Sequence, residues 1–174
     1  MGDIVEKIQN IKMLVMDVDG VLTDGGIIVH ADGTESKKFN VHDGGWVKIW
    51  ARQGLKTAII TGRKCDAVAF RMKSLQVDYV YQNALDKIEV LGRLVEESQV
   101  PVEQMAYIGD DVFDLPVIKR VGFGVAVANA LPELKQAADY VTTRNGGTGA
   151  VGELIIYMLK QMGLWDKAMA KYRR

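Results

Sequence analysis

The residues that invite a chemical reading are Asp17 and Asp19, set two apart at the end of the apolar run Met13-Leu-Val-Met16 and followed at once by Gly20. In a strand, residues i and i+2 share a face, and a glycine lets the chain leave the sheet immediately, so both carboxylates can converge just beyond it. Crowded carboxylates repel unless a cation or a proton sits between them. Hard divalent cations take oxygen ligands, and Mg²⁺ is usually held by one or two carboxylates completed by water and phosphate. Taken alone, the stretch fits a metal site and an acidic loop equally well. Three further features bear on the choice. Thr61-Gly62 follows the apolar run Thr57-Ala-Ile-Ile60, Lys87 opens an amphipathic segment, and Asp110-Asp111, with Asp114, follows Met105-Ala-Tyr-Ile108.

The elements that must position these groups alternate. After the first strand, two β-prone runs flank Asp32-Gly33, a strong hairpin signal, so residues 26–40 are expected to form a small β-hairpin insertion over the mouth of that strand. The spacing of Trp46, Val47, Ile49 and Trp50 predicts a helix over 43–53, closed by Gly54. A helix over 66–75 follows, then a short strand at Tyr79-Val-Tyr81 and an amphipathic helix over 86–97 with Ile88, Leu91, Leu94 and Val95 on one face. Beyond Met105-Ala-Tyr-Ile108, a helix over 115–121, a strand over 123–127, a helix over 132–137 and a strand at Tyr140-Val141 are expected. The Gly146-Gly-Thr-Gly149 turn leads to a helix over 150–162. Trp165, Ala168, Met169 and Tyr172 fall at i, i+3, i+4 and i+7, which predicts a tail helix over about 164–173 that covers a site or packs on the core.

Strands alternating with helices predict an α/β fold: a Rossmann-like open, mostly parallel sheet with helices on both faces and no large cap domain. In such sheets ligands bind beyond the carboxyl ends of the strands. Asp17/Asp19, Thr61-Gly62, Lys87 and Asp110/Asp111 are thus candidates for one crevice.

Bulk properties narrow the function class. The 174 residues fit a single domain, 1–174, and Lys plus Arg equals Asp plus Glu at 22 each, so no net field draws nucleic acid or an anionic membrane. The lone Cys65 excludes an internal disulfide. No apolar run approaches the roughly 20 residues of a membrane span, and Met1-Gly-Asp-Ile-Val-Glu-Lys7 lacks the basic-then-apolar order of a signal peptide. A cytoplasmic protein with no nucleic-acid or membrane partner is expected.

Together, Asp17-x-Asp19-Gly-Val-x-Thr23-Asp24, Thr61-Gly-Arg63, Lys87 and Gly109-Asp-Asp111-x-x-Asp114 resemble the four motifs of the haloacid dehalogenase superfamily, in order and at suitable spacing. The resemblance extends through Lys38-Phe-Asn40, Asp43-Gly44, Gly62-Arg-Lys64 and Gly146-Gly-x-Gly-Ala-Val151. Over nearly the whole chain it is similar to the small phosphatases of 3-deoxy-D-manno-octulosonate 8-phosphate, enzymes of lipopolysaccharide biosynthesis. The resemblance implies catalytic Asp17, Asp19, Thr61 and Lys87, with Mg²⁺ held by the Asp17 carboxylate, the Asp19 carbonyl and Asp110. Asp111 would bind the metal through water or stand behind it, and Asp114 would orient Lys87. Thr61, Gly62 and Lys87 would hold phosphate, Asp19 would also meet the substrate, and Arg63, Lys64 and Arg71 would meet its carboxylate. A homotetramer built by pairing hairpins is implied as well, in agreement with the liability of an exposed hairpin edge.

The implied chemistry is physically coherent. Asp17 attacks phosphorus to give an aspartyl phosphate, splitting one hard displacement into two easier ones. Asp19 protonates the leaving alkoxide and later takes a proton from water. Arg63 favours the eight-carbon sugar acid over nine-carbon sialic-acid-type 9-phosphates, whose phosphatases tend to carry an acid there. His42 and Gly152 stand where the octulosonate family usually has arginine, which puts the choice of sugar in question. A second class, a non-catalytic oligomerisation module like those fused to sugar-nucleotide synthetases, is disfavoured by intact Asp17, Asp19, Lys87 and Asp110. Other patterns carry less. Cys65 and Arg71 have the Cys-x5-Arg spacing of tyrosine-phosphatase loops, but the glycine-free stretch between them reads as helix, and His30 and His42 are too isolated for a metal site.

Overall fold

The computed structural model describes residues 2–173. Met1 and Arg174, the ends of the expected domain, lie outside the described residues. The chain opens with α1 (Gly2–Gln9), an element the sequence reading left unassigned, although it buries Ile8 completely. Next come β1 (Met13–Met16), a hairpin of β2 (Ile28–Val29) and β3 (Glu35–Ser36), then α2 (Val41–Ala51) and β4 (Lys56–Ile60). After these lie α3 (Asp66–Leu75), β5 (Tyr79–Tyr81), α4 (Lys87–Ser98) and β6 (Met105–Gly109). The chain finishes with α5 (Leu115–Ile118), β7 (Phe123–Ala126), α6 (Pro132–Ala137), β8 (Tyr140–Val141), α7 (Ala150–Gln161) and α8 (Trp165–Met169).

Six parallel strands form one sheet in the order β5-β4-β1-β6-β7-β8, and β2 and β3 pair separately as an antiparallel hairpin. The expected open α/β sheet with a small hairpin insertion is therefore observed. Every residue of β1 is buried, as a central parallel strand covered on both faces requires. From β1 the chain moves outward to β4 and β5, then returns to β6 on the other side of β1 and continues outward through β7 to β8. The direction of travel thus reverses between β1 and β6, and right-handed crossovers put the helices of the two halves on opposite faces. Met16 is level with Ile59 of β4 and Ile108 of β6, so β1, β4 and β6 end side by side.

Several boundaries shift for local reasons. Helix α2 starts two residues before the expected one because the Asn40 side chain accepts the backbone N–H groups of His42 at 2.8 Å and Asp43 at 3.3 Å. Asp86 is the cap of α4, its carboxylate accepting from Ile88 and Glu89. The buried face of α4 is Lys87, Val90, Leu91, Leu94 and Ser98, leaving Ile88 and Val95 on its margin. The helix expected over 115–121 starts at Leu115 but ends at Ile118, and it is preceded by a 3-10 turn, Val112–Asp114, at which Asp111 and Asp114 cap each other. The tail folds onto its own chain, with Trp165 stacked on Trp46 at 5.9 Å and the Tyr172 hydroxyl accepting from Arg52. No helix among the described residues is long and apolar enough to cross a membrane.

Candidate active site

A cavity of about 420 Å³ opens beyond the ends of β1, β4 and β6, lined in part by Asp17, Asp19, Thr61, Gly62, Arg63, Lys87, Asp110 and Asp111. The four separated motifs thus meet in one place. Each strand leaves its functional group at its own end: Asp17 follows Met16, Thr61 follows Ile60, and Asp110 follows Gly109. Lys87 arrives from the first turn of α4 on its buried face.

The loop after β1 is built around close approach. Gly20 has φ +81°, and a Cβ there would lie 2.0 Å from Asp110 Oδ2, so glycine lets the two acidic loops touch. Thr23 is fully buried, and its hydroxyl accepts from Gly25 and donates to the Val18 carbonyl. From outside, the Gly146-Gly147 turn buttresses this loop. A Cβ on Gly146 would strike the Gly20 carbonyl oxygen at 1.6 Å, and Gly147 N–H donates to the Val21 carbonyl at 2.8 Å.

Behind the cavity runs a buried polar network. Lys87 Nζ lies 3.0 Å from Asp17 Oδ2 and 2.6 Å from Asp114 Oδ1. Asp114 is completely buried and fully employed. Its Oδ1 accepts from Lys87 and from the Tyr107 hydroxyl at 2.5 Å, and its Oδ2 accepts the backbone N–H groups of Asp110 and Asp111. Tyr107 was read only as a strand residue; a polar-tipped aromatic inside the run Met105-Ala-Tyr-Ile108 was the signal available.

Carboxylate oxygens of Asp17, Asp110 and Asp114 all lie within 4.8 Å of one another. Burial raises Asp17 to about 6 despite Lys87, with Asp114 adding to the rise. Burial also raises Asp110 to about 7, and the negative charges of Asp17, Asp114 and Asp111 push the same way. Burial pulls the Lys87 ammonium down, but Asp17 and Asp114 outweigh it and its pKa is raised. One lysine therefore leaves three crowded acids under-compensated, which fits a hard cation between Asp17 and Asp110. Asp114, with both oxygens occupied, is placed to hold Lys87 and the Asp110 loop.

Two expected substrate residues are not brought into the cavity. Lys64 lines a separate hollow under the hairpin with Glu35, Cys65 and Asp66. The side chain of Arg71 is turned along α2, close against Gly44 and over the Phe39 ring at 5.8 Å. Both diverge because Cys65 caps α3 and the following residues are helical, which also rules out a phosphate loop between Cys65 and Arg71. Conversely, the hairpin contributes groups that sequence reasoning missed. Lys37, with a side chain wholly shielded from solvent, pairs with Asp19, and Glu35 pairs with Arg63. His42 and Gly152, the two departures from the resemblance, share a second cavity with Trp46 and Arg144. A Cβ at Gly152 would lie 2.8 Å from Trp46 Cδ1, so Trp46 takes the space that a side chain at 152 would need.

Comparison with known proteins agrees with this geometry. The model of the haloacid dehalogenase-like hydrolases matches residues 77–155. The chain is 42% identical over 167 residues to the 3-deoxy-D-manno-octulosonate 8-phosphate phosphatase KdsC of Escherichia coli K12, covering 96% of this chain and 89% of that one. The 3-deoxy-D-manno-octulosonate 8-phosphate phosphatase of Moraxella catarrhalis, solved with magnesium, phosphate and KDO, superposes with a TM-score of 0.95 at 38% identity, covering 99% of each chain. The corresponding phosphatase of Yersinia pestis superposes with a TM-score of 0.92 at 40% identity, covering 94% of this chain and 89% of that one.

Proposed function

The chain belongs to the haloacid dehalogenase-like hydrolases, and from that premise we propose that it is a Mg²⁺-dependent phosphatase of 3-deoxy-D-manno-octulosonate 8-phosphate, releasing the free sugar acid and phosphate. The observation that carries the proposal is the convergence of Asp17, Asp19, Thr61, Lys87 and Asp110 on one cavity, in a chain closely similar to phosphatases of that substrate.

In the proposed reaction the substrate phosphate enters between the ends of β1 and β4, meeting the Thr61 hydroxyl, the Gly62 N–H and Lys87. An Asp17 oxygen attacks phosphorus as the bond to the sugar oxygen breaks, and Asp19 gives that oxygen its proton. Water then attacks the aspartyl phosphate, Asp19 takes the proton, and phosphate leaves. Asp17, Asp110 and the Asp19 carbonyl would hold Mg²⁺, with Asp111 reaching it through water. The metal supplies charge neutralisation, so that two anions can approach. Arg63, which lines the cavity, is the cation for the substrate carboxylate, and it favours the eight-carbon acid over a nine-carbon sialic-acid-type ester.

The proposal includes a homotetramer. Ile27, Ile28 and Val29 on the hairpin are 42%, 52% and 64% exposed, an apolar edge that pairing with other hairpins would cover. A monomeric mass by light scattering at micromolar concentration would remove this part. The free, buried Cys65 suits a reducing compartment, and a cytoplasmic location is part of the proposal.

A panel of sugar phosphates assayed with and without Mg²⁺ tests the function. The octulosonate ester should turn over fastest, the rate should depend on Mg²⁺, and Asp17→Asn should abolish it. Preference for a nine-carbon ester would overturn the substrate, and no turnover of any ester would overturn the enzyme in favour of the oligomerisation module.

A further inference from the structure

We propose that Lys37, on the outgoing arm of the hairpin, is a positioning residue that fixes which oxygen of Asp19 carries the catalytic proton. The inference rests on the phosphatase reading above and goes beyond it, because it places in the proton-transfer apparatus a residue outside the four motifs that converge on the crevice.

The geometry is asymmetric about the Asp19 carboxylate. Lys37 Nζ binds Oδ1, and the Lys37 side chain is wholly shielded from solvent. Oδ2 is buried and has no hydrogen-bond partner, with Arg63 Nε 3.9 Å away. A buried carboxylate oxygen left unpaired is costly unless something occupies it during function. In a cavity that receives a phosphate ester, the bridging oxygen and later the attacking water are the groups that need it.

Without Lys37, the two oxygens are chemically equivalent and the carboxylate is free to turn about its Cβ–Cγ bond. With Oδ1 engaged by the ammonium, Oδ2 is the oxygen left to hold the proton. In the first step that proton passes from Oδ2 to the bridging oxygen as its bond to phosphorus breaks and the bond to Asp17 forms. In the second, water gives a proton to Oδ2 as the Asp17–phosphorus bond breaks, and the cycle closes with no other co-reactant. The neighbouring Lys38 provides a natural contrast, since it is 74% exposed and pairs outward with Asp24 at 2.7 Å.

Substrates that differ only in their need for that proton test the idea. The octulosonate 8-phosphate releases a basic alkoxide, whereas its analogue with sulfur in the bridging position releases a thiolate that departs without protonation. The readout is kcat/KM, which reports steps up to departure of the leaving group. Lys37→Met should lower kcat/KM for the oxygen ester about 10- to 100-fold, the usual cost of losing a group that orients a catalytic one. For the thio ester the loss should stay within about threefold, Lys37→Arg should restore most of the oxygen-ester rate, and Lys38→Met should leave both unchanged. Because both esters are measured on one preparation, a smaller folded fraction cancels from their ratio. Equal loss on the two esters, or no loss on either, overturns the proposal, as does a wild-type enzyme that cleaves only the oxygen ester. A wild-type protein that cleaves neither defeats the phosphatase reading instead.

Discussion

The floor of the crevice and the hairpin above it are held by different forces. On the floor, Asp17, Lys87, Asp114 and Tyr107 form a buried network pinned by parallel strands that are hydrogen-bonded on both sides. The hairpin strands are two residues long, expose Ile28 and Val29, and meet the crevice through the ion pairs Lys37–Asp19 and Glu35–Arg63. Chemistry that must be positioned to fractions of an ångström sits on the rigid part. Groups that choose among substrates, Arg63 and Glu35, are left on the part held by ion pairs.

If this division is correct, substitutions on the floor lower kcat and substitutions at the rim raise KM, with Lys37, which reaches from the hairpin to Asp19, acting with the floor on the chemical step. After loss of the nucleophile itself, the largest effect is expected for Lys87→Met, which removes the cation paired with Asp17 and Asp114. Its kcat should fall roughly 10³-fold, as for other losses of a preorganised charge, while circular dichroism shows an intact fold. Gly20→Ala comes next. The added methyl must displace the Asp110 carboxylate and strains a backbone at φ +81°. Steady-state kinetics across a Mg²⁺ titration should show weaker metal dependence, with activity down about 10- to 100-fold. Arg63→Ala should have the smallest effect, raising KM for the sugar acid roughly tenfold with little change in kcat. A kcat loss at Arg63 as large as that at Lys87 would erase the distinction between the two regions.

Titration of the floor gives a different readout. Asp17 and Asp110 have pKa values raised to about 6 and about 7, so the folded state binds more protons than the unfolded chain between the ordinary carboxylate range and those values. Their contribution to stability is present at low pH and lost as pH rises through the raised values. Mg²⁺ binds the ionised forms and should reverse the loss. Its stabilisation in a thermal melt should therefore be larger at about pH 8 than at about pH 5. Equal shifts at both pH values would mean that the crowded acids are not where the metal binds.

The floor was also the part most legible in the sequence. Each catalytic group lies within three residues of a strand or helix end, so a local pattern such as Asp17-x-Asp19-Gly20 carries its geometry with it. Lys37 and Glu35 were invisible because a two-residue strand has no periodicity, and which face of the hairpin meets the crevice is settled only by the tertiary fold. Lys64 and Arg71 lie outside the lining of the crevice for a related reason. They follow Thr61-Gly62 closely in sequence, but the helix beginning at Asp66 carries Arg71 onto α2. The first helix is short and its apolar positions are few, although its Ile8 is completely buried. Gly152 reads in the sequence as a departure that bears on the choice of sugar, and in the fold it leaves the space that Trp46 fills.

The most direct measurement is to quench the protein in acid during turnover of the octulosonate ester with Mg²⁺ and to locate covalent phosphate by peptide mass spectrometry. The expected result is one phosphoryl group on Asp17 in the wild-type protein and none in Asp17→Asn. Turnover with no phosphorylated aspartate, or with the label on Asp19 or Asp110, would contradict the assignment of Asp17 as the nucleophile.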